Sequence, residues 1–309
     1  MSNAISGIPL GGFGTGYIRL GSDAIYRNVT INNNRSTYTR IPIAEHTYMA
    51  VRCSHQDTSV SRLLRPEHAD LTHTCPHAAQ AIDKDTMYWR GTYPRSSFSY
   101  KEKSFPVEMV WSNCAPIIPF DEETSSMPVI LQGIRITNTS TKTQNVSILI
   151  NWDNLSGITA KTHPGFAPVS GALIEMPKVN VPIPEDNYNP DEPTEPNSNE
   201  TDRFNALIFG PHEQGDNDAF GQHCLAMRIQ KGVRISVAPW DYNDPEQEEH
   251  FWTTFKEKGH LDELAPQASA PSAGAICASL TMAPGEKRNL RVAFSWYTPR
   301  ITTGKKESS

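Results

Sequence analysis

The chain has no apolar run approaching the ~18 residues needed to cross a bilayer, so no membrane-spanning segment is expected. Lysine and arginine never cluster, and the net charge of −6 is spread along 309 residues, which argues against a nucleic-acid partner. The five cysteines, Cys53, Cys75, Cys114, Cys224 and Cys277, are odd in number, far apart and never in a Cys-x-x-Cys pair. That pattern speaks against a disulfide framework or a zinc site, and for reduced thiols in a cytoplasmic protein. No Gly-x-Ser-x-Gly elbow occurs, and no lysine precedes Lys84, so a serine-nucleophile turn and an N-terminal phosphate-cradling loop are both excluded. Helical periodicity is scarce too.

Glycine, by contrast, is concentrated in one place. Five of the twelve residues from Gly7 to Ile18 (Gly7-Ile8-Pro9-Leu10-Gly11-Gly12-Phe13-Gly14-Thr15-Gly16-Tyr17-Ile18) are glycine. Gly12, Gly14 and Gly16 have the wrong spacing for a dinucleotide fingerprint, and neither a preceding strand nor a following helix is expected so near the terminus. The stretch reads as a turn-rich loop leading into the strand-like Tyr17-Ile18-Arg19-Leu20. Its lack of side chains lets another chain or ligand approach the backbone closely.

Downstream, β-branched and aromatic residues alternate in segments that read as strands. These are 25–31, 47–53, 107–111, 129–138, 145–152, 205–209, 224–229, 234–238, 275–282 and 287–294. The segments 129–138 and 145–152, with the polar Thr139-Ser140-Thr141-Lys142-Thr143 between them, read as a hairpin with one face in the core. Pro284-Gly285-Glu286 reads as a turn. A helix is predicted from about Pro245 to Lys258, with Phe251, Trp252 and Phe255 on one stripe and Gly259 as its stop. The expected fold is all-β: a large antiparallel β-sandwich of two packed sheets, with long loops and at most one or two short helices. The Pro-, Asn- and acid-rich stretch 182–202 reads as an exposed loop, and its carboxylates lack calcium-loop spacing.

Candidate chemistry is sparse. His68, His73 and His77 crowd around Cys75, yet their spacing matches no zinc signature, so no metal is expected. Glu45, Asp57, Glu108 and Asp153 read as surface charges or local ion pairs on strands or strand ends. Tyr88, Trp89 and Trp111 could stack on sugar rings, although a tryptophan in a sandwich is more often core. Asn32-Asn33-Asn34-Arg35 offers amide and guanidinium donors to a hydroxyl-rich ligand, or is a plain polar turn.

The run from Gly7 to Gly16 resembles the opening of the N-terminal domain of glycoside hydrolase family 116, which contains bacterial β-glucosidases and non-lysosomal glucosylceramidases (bile acid β-glucosidases). Met282-Ala283-Pro284-Gly285-Glu286 and Ala293-Phe294-Ser295-Trp296-Tyr297-Thr298-Pro299 resemble that domain's far end. The resemblance implies one supersandwich-like domain over residues 5–299. On this reading residues 1–4 are a tag remnant, and 300–309 form a polar tail towards an (α/α)6 catalytic domain that this chain does not contain. It further implies retaining hydrolysis of a β-glucoside or glucosylceramide-like substrate without a cofactor. The two carboxylates this needs lie in the other domain, so no catalytic residue is assigned here and the chain alone should be inactive. Trp152-Asp153-Asn154 resembles the family's strand end where the sandwich meets the helical domain. The residues expected to face that domain or the substrate mouth are therefore Gly11, Gly12, Phe13, Gly14, Thr15, Gly16, Asn32, Asn33, Asn34, Arg35, Trp152, Asp153 and Asn154. A free-standing carbohydrate-binding sandwich and a protein-interaction scaffold are the alternatives.

Overall fold

The computed structural model describes residues 5–33, 41–67, 71, 75–156, 171–175 (backbone), 204–210, 221–262 and 271–299. Asn34, Arg35, His68, His73, the 182–202 stretch and both termini lie outside the described residues.

Strands follow the alternation. In chain order they are β1 (Gly7–Leu10), β2 (Ile18–Gly21), β3 (Tyr26–Val29), β4 (Ile41–Ile43), β5 (Tyr48–His55) and β6 (Thr58–Leu63). Next come β7 (Met87–Thr92), β8 (Arg95–Tyr100), β9 (Val107–Cys114), β10 (Val129–Asn138), β11 (Gln144–Asp153) and β12 (Gly171–Glu175). The last are β13 (Phe204–Phe209), β14 (Gln222–Arg228), β15 (Val233–Trp240), β16 (Ala273–Met282) and β17 (Lys287–Tyr297). They make an eight-stranded sheet (β12-β13-β14-β17-β10-β9-β8-β7), a five-stranded sheet (β15-β16-β11-β5-β6) and a third, four-stranded sheet (β1-β2-β3-β4). Every pairing between the described strands is antiparallel. The strand expected to be missing before the glycine run exists. β1 pairs with β2, Leu10 opposite Ile18, so the run is the loop of a hairpin.

The predicted 129–152 hairpin is corrected. β10 pairs with β9 and β17, whereas β11 pairs with β5 and β16, so the Thr139–Thr143 connection crosses between sheets. The Pro284-Gly285-Glu286 turn crosses in the same way, from β16 to β17. Asn138 stitches the two crossovers together. It is fully buried, and its Nδ2 donates to the carbonyls of Lys142 (2.8 Å), Met282 (3.0 Å) and Ala283 (3.0 Å). Its Oδ1 accepts from Ser140 N at 3.0 Å and Ser140 Oγ at 2.8 Å, and its backbone bonds Gly285 and Glu286.

The main core lies between the sheets. Ile130, Ile134 and Ile136 of β10 and Val146, Ile148 and Ile150 of β11 contribute to it. The other face of β11, expected to be open, is buried as well. Leu149 packs there with Tyr48, Ala50, Trp240 and Cys277 under helix α2 (Pro245–Lys258). Asp244 caps this helix, accepting from Glu246 N at 3.0 Å. Gly259 ends it in the left-handed region at φ 71°, as the sequence predicts. Phe251 stacks on Trp240 (4.2 Å) and Trp252 on Tyr48 (5.7 Å), so the apolar stripe seals the outer face of the five-stranded sheet. A second helix, α1 (Glu122–Ser125), is a single turn capped by Asp121. All five cysteines are free thiols, Cys53 and Cys277 buried and the other three half-buried.

Candidate functional site

The loop from Gly11 to Tyr17 is held by its backbone. A Cβ at Gly12 would lie 2.4 Å from the Met127 carbonyl and one at Gly16, at φ 89°, 2.5 Å from the Thr30 carbonyl. Both positions therefore require glycine for close approach. A Cβ at Gly11 would lie 2.5 Å from the Gly16 carbonyl, whereas one at Gly14 would meet open space. Phe13 N donates to Ser125 O (2.7 Å), which leaves its ring exposed, and Thr15 Oγ1 donates to Gly12 O (3.0 Å).

From this loop a line of hydrogen bonds runs across one end of the sandwich. Trp296 Nε1, near the end of β17, donates to Thr15 O at 2.7 Å. Two residues on, Thr298 Oγ1 donates to Ile31 O (3.0 Å), and Thr298 O accepts from Asn33 Nδ2 (3.4 Å). Asn32 is buried and its Nδ2 donates to Leu155 O. Its Oδ1 must then accept from His223 Nε2 at 2.9 Å, which fixes the Nε2–H tautomer. Burial pushes the His223 pKa down to about 3, so the ring is neutral at physiological pH. Ser156 Oγ donates to Gly221 O, closing the end against the start of β14.

The glycine loop, Asn32–Asn33 and the strand end after Trp152 thus share one end of the fold, joined through Trp296, Thr298 and His223. Exposure separates them. Phe13, Gly14 and Tyr17 face solvent, while Asn32, Trp152, Asp153 and Asn154 are almost wholly buried. Trp152 stacks on Phe294 at 3.7 Å and leans on Tyr26 at 5.0 Å. Asn154 Oδ1 accepts from Ser156 N (3.3 Å). Trp296 belongs to a motif visible in the sequence. His223 and Ser156 are a lone histidine and a lone serine, and nothing local to them marked this role.

Asp153 is the one expected surface carboxylate that is buried. Its Oδ2 accepts from His46 N (2.9 Å) and Thr47 Oγ1 (3.4 Å). Burial raises its pKa to about 7, outweighing these bonds and the Arg65 guanidinium nearby. The unfolded carboxyl ionises at about 4. Between those values the folded state holds the extra proton, so Asp153 makes stability fall as pH rises from about 4 to about 7. Asp153→Asn should remove that fall. Melting temperatures at pH 5 and pH 8 should differ less in the variant than in the parent chain, and parallel profiles would disprove the assignment.

The other aromatic and metal candidates are described in part, since His68 and His73 lie outside the described residues. Trp111 is a core residue stacked on Phe98 (5.1 Å), which removes it from sugar stacking. Trp89 packs half-buried against the core, and Tyr88 is exposed. Cys75 Sγ lies 3.9 Å from His46 Nδ1, and burial pushes its thiol up to about 12. His77 Nε2 lies 3.8 Å from the buried Glu248 carboxylate. Among the described residues, no three His, Cys, Asp or Glu side chains converge as a metal would need.

Fold and clustered end together define a large all-β sandwich with a polar-stitched end and an exposed glycine tip. Comparison with known families then places it: residues 7–309 match β-glucosidase 2, glycosyl-hydrolase family 116 N-terminal, and the chain belongs to that family of N-terminal domains. Family membership implies a C-terminal catalytic domain. Comparison with curated proteins returns no match.

Solved structures with a similar trace include a protein assigned as a kojibiose phosphorylase from the human microbiome (9% identity, TM-score 0.36, covering 94% of this chain and 29% of that one). Another is assigned as an aldose 1-epimerase from Escherichia coli K12 (8%, 0.42, covering 96% and 100%). A family 36 α-galactosidase from Geobacillus stearothermophilus matches at 7% identity and TM-score 0.29, covering 69% of this chain and 25% of that one. The chain spans about a third or less of the phosphorylase and the galactosidase, and no chemistry follows from scores this low. No helix among the described residues is long and apolar enough to cross a membrane.

Proposed function

We propose that residues 5–299 act as the non-catalytic β-sandwich of a β-glucosidase-like enzyme, packing on its catalytic domain and helping to shape the mouth of the active site. The observation that carries this reading is the Trp296 Nε1–Thr15 O bond (2.7 Å). It brings the exposed tip Phe13-Gly14 to the end of the sandwich from which the chain continues past Pro299. A following domain would therefore leave the fold beside that tip. The reaction of the two-domain enzyme would be retaining hydrolysis of a β-glucoside or a glucosylceramide-like lipid, without a cofactor. The five free thiols support a reducing, cytoplasmic setting.

The purified 309-residue chain should release no aglycone from an aryl β-glucoside above a mock preparation, whereas the same chain followed by its catalytic domain should do so with retention. Turnover by the short chain would overturn the reading.

A further inference from the structure

Beside the glycine tip stands a turn whose geometry is costly and gains nothing inside the domain. Ile118, Pro119, Phe120 and Asp121 close it, Asp121 N donating to Ile118 O at 3.2 Å. Phe120 sits at its third position with φ 67°, a conformation that turns of this kind give to glycine and that strains a bulky L-residue. Its relative exposure is 106%, so the ring makes no internal packing contact in return. The turn is nevertheless rigid. Ser125 Oγ bonds both Ile118 N and Ile118 O at 2.9 Å, and Asp121 caps α1 by accepting from Thr124 N at 2.9 Å.

Other exposed apolar side chains stand on this turn or on segments bonded to it. Ile118 is 48% exposed, Met127 45%, Phe13 58% and Tyr297 66%. Phe13 is tied to α1 through Ser125 O, Gly12 packs on Met127 O, and Trp296 N bonds Pro128 O, which sets Tyr297 at the same margin. An apolar patch held on rigid backbone is the composition of a protein-binding hot spot. Exposed carboxylates lie beside it on α1: Glu122 and Glu123, with Asp121 committed to the cap.

We propose that Phe120, with Ile118, Met127 and Phe13 around it, is the anchor by which this domain docks onto its catalytic domain, seated in an apolar pocket bordered by lysine or arginine. This rests on the two-domain reading above and goes beyond it in moving the anchor from the glycine run to the 118–127 turn. The occupant follows from position: Thr298 and Pro299, the last described residues, lie beside Tyr297 and the patch, so a domain that follows in the chain is tethered near this surface.

The test uses the 309-residue chain and the two-domain polypeptide, each carrying Phe120→Gly, Phe13→Asp or the pair Glu122→Lys and Glu123→Lys. Phe120→Gly suits the positive φ, so the 309-residue chain should keep its melting temperature within about 2 °C. In the two-domain polypeptide the same change should raise the rate of proteolytic cleavage between the domains by about tenfold or more. The lysine pair should raise it also, with an effect that shrinks as salt is added.

If Phe120→Gly leaves cleavage within about twofold of the parent while Phe13→Asp raises it, docking runs through the glycine tip. The inference then falls and the reading stands. If no variant changes cleavage, both fall. Should the 309-residue chain sediment as a dimer that Phe120→Gly dissociates, the occupant is a second copy and the inference is overturned.

Discussion

Trp152→Ala should lower the stability of the 309-residue chain by about 4 kcal/mol and its melting temperature by about 6 °C, with no partner present. The indole is 1% exposed, lies 3.7 Å from the Phe294 ring and also touches Tyr26. Its removal would strip stacking contacts and leave a cavity between the sheets that their backbones cannot close. Phe13→Ala, at the exposed tip of the same end, should change stability by less than about 0.5 kcal/mol. Chemical denaturation of the two variants side by side measures the contrast. A small effect at Trp152 would mean that the ring is not a core residue, and the described packing would be wrong.

Asn138→Ala should cost about 3 kcal/mol, read as a lower denaturant midpoint with an unchanged slope. The loss comes chiefly from the buried Met282 carbonyl, which loses its donor, and from the Lys142 and Ala283 carbonyls at the more exposed edge of the same network. Asn138→Asp should be at least as damaging. It keeps the acceptor towards Ser140 but turns an oxygen towards those carbonyls, placing like partial charges together in a buried site. Ser140→Ala removes only a partly exposed hydroxyl from the same network and should cost far less.

Local pattern made much of this fold legible. Val129–Asn138 and β17 alternate so regularly that their strands follow from side-chain period alone, and α2 announces itself through Asp244, its aromatic stripe and Gly259. What stayed hidden needs more than a window of sequence. A polar turn such as Thr139–Thr143 reads the same whether the chain returns to its own sheet or crosses to the other. β8 (Arg95–Tyr100) carries Ser96, Ser97 and Ser99 beside only two aromatics, Phe98 and Tyr100, so its apolar content is too thin to mark a strand. At the candidate site, the glycine run is plain in composition. The pairing of Asn32 with His223 spans 191 positions, and no local spacing could signal it. Phe120 escaped because an aromatic after proline looks ordinary until its φ and exposure are known.

Among the described strands β17 is the last in sequence, lies between β14 and β10, and alone joins the β12-β13-β14 half of the eight-stranded sheet to the β10-β9-β8-β7 half. On a ribosome both halves emerge with an open edge and wait. The Thr15 carbonyl must wait for an indole made 281 residues later, about 15–60 s at ordinary elongation speeds. Until then two hydrophobic fragments with unpaired edges are displayed together. Nascent chains of this protein should therefore depend on holding chaperones throughout synthesis, and compaction should come as one late event when the final strand slides into place.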